Sequence, residues 1–231
     1  MRGRSPSRTM LELQSRDRSH RGSLMQIAIL LFDGVTALDA VGPYEVLRLL
    51  PSADVRLVAD EPGEQASDGG PLKLVADHSL AQVPRPEIVV VPGGPGARAL
   101  FGDESVLAWL RSVHEHSRWT TSVCWGSMVL GAAGLLEGHR ATSHWLARED
   151  LAQHGARPVN ERVVVSGKVI TCAGVSAGID MALGLAALEA GEGVAQAIQL
   201  LLEYDPQPPF DAGSPERAPA EVVEMVRGGR A

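Results

Sequence analysis

The stretch TSVCWGSMVL, residues 121–130, decides the fold, because it predicts a strand that turns abruptly into a helix. The β-rich run 119–123 meets Cys124, and an apolar run follows at 128–136. A strand, a tight turn with a glycine and then a helix form the geometry of a nucleophile elbow. Such an elbow holds one side chain at the carboxyl end of a strand and the amino end of a helix.

The side chain at this turn is a thiol, and its position predicts reactivity. The partial positive charge of a helix N-terminus favours the thiolate, which is the form that attacks electrophiles. Backbone N–H groups at the same turn can stabilise a developing negative charge. The alternative is that Cys124 is a small buried core residue, which is a common role for cysteine. The second cysteine, Cys172, is expected in the core of a strand.

Length and composition predict one large α/β domain in a chain of 231 residues. Apolar residues make up 45% and charged residues 21%, as in a soluble globular protein. The net charge of −7 argues against a nucleic-acid partner, since phosphates require a basic face. We expect no membrane partner, because no apolar run approaches the ~20 residues that span a bilayer. Two cysteines and no visible secretory signal predict a cytoplasmic protein with reduced thiols.

Residues 1–24 differ from the rest of the chain, because they hold six arginines, several serines and two acids. This composition can belong to a transit peptide, but no amphipathic apolar face accompanies it. We interpret the segment as a disordered tail or a translation start placed too early, with Met25 as the natural first residue. The remainder, residues 25–231, is predicted to form a single domain.

The opening of this domain reads as strand 26–32, helix 38–50 and strand 54–59, which is typical of a parallel sheet with right-handed crossovers. The elements predicted after it are strands at 72–75, 87–91, 119–123, 162–165 and 168–172 and helices at 106–116, 145–154, 174–188, 194–203 and 220–226.

A glycine-rich turn, PGGPG at 92–96, follows the strand 87–91. Glycines let backbone N–H groups approach a ligand closely, but neither G-x-G-x-x-G nor a phosphate-binding lysine is present. The turn therefore fits a rigid segment that lends an N–H to an anion. Because the carboxyl ends of parallel strands share one crevice, we expect Asp39, Gly94 and Cys124 to converge. Asp39 is then either a proton donor or a plain helix cap.

These motifs are similar to those of a known superfamily. The segments that resemble the ThiJ/PfpI superfamily are FDG at 32–34, LDAVGP at 38–43, VPGG at 91–94 and SVCWG at 122–126. The segments that resemble its isocyanide hydratase group are VLGAAGLL at 129–136, ATSHW at 141–145 and LEYDPQPPFDAGSP at 202–215. The resemblance covers residues 25–226.

The resemblance implies an α/β, flavodoxin-like three-layer sandwich with a mainly parallel sheet, acting as a homodimer on a small molecule without cofactor or metal. It implies that Cys124 is the nucleophile and Asp39 the acid beside it. The implied reaction converts an isocyanide to an N-substituted formamide through a Cys124 thioimidate. The N–H groups of Gly94 and Trp125 would stabilise negative charge.

One residue departs from the hydratase pattern, which places Thr directly after the cysteine, where this chain has Trp125. The indole either lines the substrate pocket, together with Gly93 and His144, or points into the core. His144 lies where superfamily relatives often carry a histidine, so it is placed beside the pocket or at an interface. Amidase or glyoxalase-type activity, and a non-catalytic ligand- or oxidation-sensing role, remain open as alternatives.

Overall fold

The computed structural model describes residues 24–229. The strands in chain order are β1 (Met25–Leu30), β2 (Ala53–Ala59), β3 (Gly63–Ala66), β4 (Lys73–Ala76), β5 (His78–Ser79), β6 (Ile88–Val91), β7 (Trp119–Val123), β8 (Arg140–Ala141), β9 (Arg157–Pro158), β10 (Val163–Ser166) and β11 (Val169–Cys172). The α-helices are α1 (Ala37–Leu47), α2 (Glu104–His116), α3 (Gly126–Ala132), α4 (Ala177–Ala190), α5 (Glu192–Leu201) and α6 (Ala220–Gly228).

The central sheet has the strand order β10-β11-β7-β6-β1-β2-β5. Every neighbouring pair is parallel except β10 and β11, which form an antiparallel hairpin. The predicted, mainly parallel sheet is therefore confirmed. Because β1, β6 and β7 are adjacent and parallel, the segments that follow them meet at one edge of the sheet.

Both faces of the sheet are covered, and β1 shows why. Its alternate residues enter two separate cores, Ala28 and Leu30 on one side and Ile27 and Ile29 on the other. Helices α2 and α3 pack on the first face, and α1, α4 and α5 pack on the second. A strand buried on both faces has the continuous apolar run that the sequence displays at 26–32. The three-layer, flavodoxin-like arrangement is confirmed.

One element prediction is wrong in part. Residues 145–148 form turns and Glu149–His154 is a 3₁₀ helix, where the sequence predicted a helix over 145–154. Hydrogen bonds spaced three residues apart hold this segment, among them Ala147 N–H to the His144 carbonyl, and Gly155 ends it with a φ of 72°. The strand predicted at 72–75 is present as β4, but it pairs with β3 in a separate two-stranded sheet that was not predicted.

The predicted tail, residues 1–24, lies outside the described residues except for Leu24, and the single-domain boundary at residue 25 stays a prediction. Within residues 24–229, no helix is long and apolar enough to cross a bilayer.

Gly126 fixes how closely the first turn of α3 approaches the sheet. A Cβ on Gly126 would lie 1.9 Å from the Val91 carbonyl oxygen and 2.8 Å from its carbon. Both atoms belong to the backbone at the end of β6, so they cannot yield without moving a central strand. The turn after Cys124 therefore depends on a residue without a side chain.

We expect Gly126→Ala to lower the free energy of unfolding by about 3 kcal/mol, because the added methyl group displaces β6 or α3. Gly184→Ala is the matched control, since Gly184 lies within α4 with no atom within 4 Å of an added Cβ. That control should gain about 0.5–1 kcal/mol from helix propensity. Urea denaturation of the three proteins measures both effects, and equal stabilities would contradict the role of Gly126.

Candidate active site

Cys124 occupies the turn between β7 and α3 with a φ of 57°, in the left-handed region that non-glycine residues rarely adopt. Its N–H donates to the Cys172 carbonyl at 3.1 Å, which fastens the turn to β11. This is the strained strand-to-helix geometry of a nucleophile elbow, as the sequence predicted. Cys124 is 6% exposed, whereas Cys172 is fully buried.

The carbonyl of Cys124 is held by two buried hydroxyl groups. Ser127 Oγ donates to this oxygen at 3.0 Å, and Ser143 Oγ donates to it at 2.8 Å. Both serines are at most 1% exposed, so water does not compete for these bonds. The two contacts fix the orientation of the peptide group after the cysteine and stabilise its unusual φ.

Asp39 lies beside Cys124 and does not cap its helix, so the capping interpretation is wrong. The N-cap of α1 is Thr36, and Asp39 sits in the first turn with a fully buried side chain. Its Oδ2 accepts the Gly93 N–H at 2.9 Å, and the carboxyl also hydrogen-bonds the Cys124 side chain. Its Oδ1 has no nitrogen or oxygen partner among the described residues.

This surrounding raises the pKa of Asp39 from 3.8 to about 7. The main cause is burial, which penalises the charged carboxylate, and the negative charge of Asp68 adds to the effect. The hydrogen bonds from Gly93 and Cys124 act in the opposite direction and lower the pKa. Asp39 can therefore hold or release a proton near neutral pH.

Gly93 allows these groups to come together. A Cβ on Gly93 would lie 2.4 Å from the Trp125 nitrogen and 3.0 Å from both Asp39 Oδ2 and Cys124 Cβ. The N–H of Gly93 donates to Asp39, and Gly93 is not among the residues that line the cavity described below, so its placement in the substrate pocket is wrong. The N–H groups of Gly94 and Trp125 have no acceptor within residues 24–229.

An open cavity of about 640 Å³ lies over Cys124. Its lining residues are Thr36, Asp68, Gly94, Pro95, Arg98, Cys124, Trp125, His144, Leu146 and Val175. The site residues Cys124, Gly94, Trp125 and His144 named from the sequence thus share one cavity, with Asp39 buried beneath it.

Trp125 and His144 form parts of the cavity wall. The indole of Trp125 is partly buried against both cores, and the Arg98 guanidinium carbon lies 4.8 Å from its ring centroid. The His144 ring packs over Gly174, where an added Cβ would lie 2.2 Å from His144 Cδ2. Its Nδ1 accepts the Leu146 N–H at 3.3 Å. The sequence left open whether Trp125 lines the pocket or points into the core. Its side chain lines the pocket and also packs against both cores.

Three further residues line the cavity without a signal in the sequence, namely Arg98, Asp68 and Thr36. Arg98 lies in the 3₁₀ helix Pro95–Gly102, just after the PGGPG turn. In so short a helix, sequence periodicity does not predict which side chains face the cavity. Asp68 lies in a loop whose path depends on the hairpin β3–β4. Among residues 24–229, no group of three or more His, Cys, Asp or Glu side chains is arranged to hold a metal ion.

Comparison with known proteins agrees with this geometry. The chain is 47% identical to isonitrile hydratase of Pseudomonas putida over 203 residues, which cover 88% of this chain and 89% of that protein. A ThiJ/PfpI family protein from Pseudomonas syringae has a similar structure, with a TM-score of 0.86 and 40% identity over 89% of this chain and 86% of that one. Drosophila melanogaster DJ-1beta, at 24% identity, shares the fold with a TM-score of 0.71 over 78% of this chain and 98% of its own.

The DJ-1/PfpI family model matches residues 25–188, which contain the elbow, the glycine turn and the buried acid. The chain belongs to the DJ-1/PfpI family.

Proposed function

We propose that this protein is an enzyme that hydrates isocyanides to N-substituted formamides. The observation that carries the proposal is the contact between Cys124 and Asp39, a carboxyl group with a pKa of about 7, beneath an open cavity. The likeness to an isonitrile hydratase over most of both chains supports hydration over the amidase, glyoxalase-type and sensing alternatives.

In the first step, the Cys124 thiolate attacks the terminal carbon of the isocyanide. A carbon–sulfur bond forms, and the proton of Asp39 passes to the same carbon, which gives a thioimidate and leaves Asp39 ionised. Burial of Asp39 favours its neutral form, so the proton is available near neutral pH. The contact between the two side chains places the acid within reach of the carbon that the sulfur attacks.

In the second step, water adds to the thioimidate carbon, and one water proton moves to nitrogen. The tetrahedral adduct then expels the thiolate and gives its hydroxyl proton to Asp39, which restores both groups and releases the formamide. The N–H groups of Gly94 and Trp125 are the donors available to the adduct oxygen. The sum is one isocyanide and one water converted to one formamide.

Cys124→Ala should abolish turnover of cyclohexyl isocyanide, since no other side chain in the cavity can form the thioimidate. Cys172→Ala is the matched control and should keep turnover within a fewfold, because burial raises the pKa of the Cys172 thiol well above its ordinary value and it does not line the cavity. Formamide release is measured by liquid chromatography. Wild-type rates in the Cys124→Ala protein would end the nucleophile assignment.

Asp39→Asn should lower kcat by at least about a hundredfold, because the amide keeps the Gly93 hydrogen bond but has no proton to transfer. Turnover by the wild type should fall as pH rises through about 7, where Asp39 loses its proton. Turnover rates from pH 5 to pH 9 measure both effects. An Asn variant with an unchanged rate would return Asp39 to a structural role.

The same variant tests the pKa of Asp39 through stability. The folded protein holds this proton up to about pH 7 and the unfolded chain releases it near 3.8, so Asp39 destabilises the fold progressively between these values. At about 1.4 kcal/mol per pH unit, the full effect is on the order of 4 kcal/mol. Asp39→Asn should therefore match the wild type near pH 4 and melt at a higher temperature at pH 8. Asp150→Asn, at an exposed position, is the control.

We also propose that the protein is a cytoplasmic homodimer. The exposed leucines Leu188, Leu200 and Leu201 on α4 and α5 support a partner surface, since each exposes more than half of its area. The two free thiols support a reducing compartment, because the proposed chemistry needs Cys124 reduced. Sedimentation equilibrium should give twice the mass of 24.4 kDa, and the monomer mass would contradict the dimer.

A further inference from the structure

Arg98 and Trp125 together form a charged wall of the Cys124 cavity. The guanidinium carbon of Arg98 lies 4.8 Å from the centroid of the Trp125 ring, within the range of a cation–π contact. Both residues line the cavity that Cys124 enters. The contact restricts a long, exposed side chain to one place over the ring, so the positive charge is held at the cavity before a ligand arrives.

Arg98 has no acidic partner in the part of the chain that the structure describes. Nine other arginines there form salt bridges with Asp or Glu, and Arg98 is not among them. A guanidinium group is always charged and carries five N–H donors in a planar fork. The contact with the indole face does not pair the guanidinium with an acid, so its N–H groups can donate to an anionic ligand in the cavity.

Among the described residues, Asp68 is the acidic side chain that lines the same cavity, and it already accepts a hydrogen bond from another residue. Asp68 Oδ2 accepts a hydrogen bond from Thr36 Oγ1 at 2.5 Å, and no salt bridge joins Asp68 to Arg98 within residues 24–229. The cavity therefore carries a positive and a negative charge at separate places. Such a site orients a charged ligand, because an anion is attracted to Arg98 and repelled by Asp68.

We propose that Arg98, held over Trp125, binds an anionic substituent of the substrate, so that the preferred isocyanides carry a carboxylate. This inference rests on the proposed hydration of isocyanides and adds the substrate class. A planar carboxylate accepts two parallel N–H bonds from one guanidinium. A doubly charged phosphate fits less well, since a single arginine faces it while Asp68 lines the same cavity.

The test compares 3-isocyanopropanoate with its methyl ester, which differ in charge and little in shape. The wild type should show a kcat/KM about tenfold higher for the acid, the worth of a charge-assisted hydrogen bond that water partly screens. Arg98→Gln should reduce this ratio to about one or below. Arg98→Lys should give an intermediate ratio, because it keeps the charge and loses the fork.

The matched control is Arg85→Gln, which removes the same charge from an exposed position outside the cavity. This variant should keep the wild-type ratio of acid to ester. Raising the salt concentration from 50 to 500 mM should shrink the wild-type ratio and leave that of Arg98→Gln unchanged. An acid preference that survives Arg98→Gln, or a wild type without one, would overturn the proposal.

A binding measurement separates this inference from the reaction itself. In Cys124→Ala protein, calorimetry with N-formyl-β-alanine and its methyl ester reports anion binding without turnover. The acid should bind about tenfold more tightly, and the added Arg98→Gln change should remove the difference. If neither isocyanide is hydrated but this difference holds, the proposed function fails and the anion site stands. Equal binding of acid and ester overturns the anion site.

Discussion

The hydrogen bond from the Gly93 N–H to Asp39 Oδ2 joins the segment after β6 to the first turn of α1, directly beneath Cys124. It forms only because Gly93 has no side chain, since any Cβ there would collide with the Trp125 nitrogen. The same hydrogen bond lowers the pKa of Asp39, but burial of the carboxyl group raises it by more. The close approach of the backbone therefore sets the position of the acid, and burial sets its protonation.

The cysteine is held by a different set of contacts, which compensate for its backbone conformation. A left-handed φ at a residue with a Cβ costs on the order of 1–3 kcal/mol, and the fold must supply that energy elsewhere. The hydroxyl groups of Ser127 and Ser143, both on the Cys124 carbonyl, and the hydrogen bond to Cys172 supply it. Because the serines are buried, the strain persists in the folded state, and the thiol is kept at the floor of the cavity.

The sequence predicted the parts of this site that follow from chain order. A thiol at a strand-to-helix turn and a glycine turn after the neighbouring strand must meet in a parallel sheet, and they do. The roles of Asp39 and Arg98 could not be predicted, because they depend on side-chain packing. From the sequence, Asp39 could be a helix cap or a proton donor, and the structure excludes the cap because Thr36 is the N-cap of α1. The position of Arg98 could not be predicted from the sequence, because it depends on the contact between its guanidinium group and the Trp125 ring.

The proposed anion site requires an acidic protein to accept a carboxylate without changing the protonation of Asp39. The net charge of −7 repels a carboxylate at long range, but salt screens that repulsion beyond about 8–10 Å. Inside the cavity, an unpaired anion would act on Asp39 as Asp68 does and raise its pKa further. Pairing with Arg98 cancels that charge. Asp39 would then keep a pKa near neutrality, so the proposed anion site is compatible with the two proton transfers of the proposed reaction.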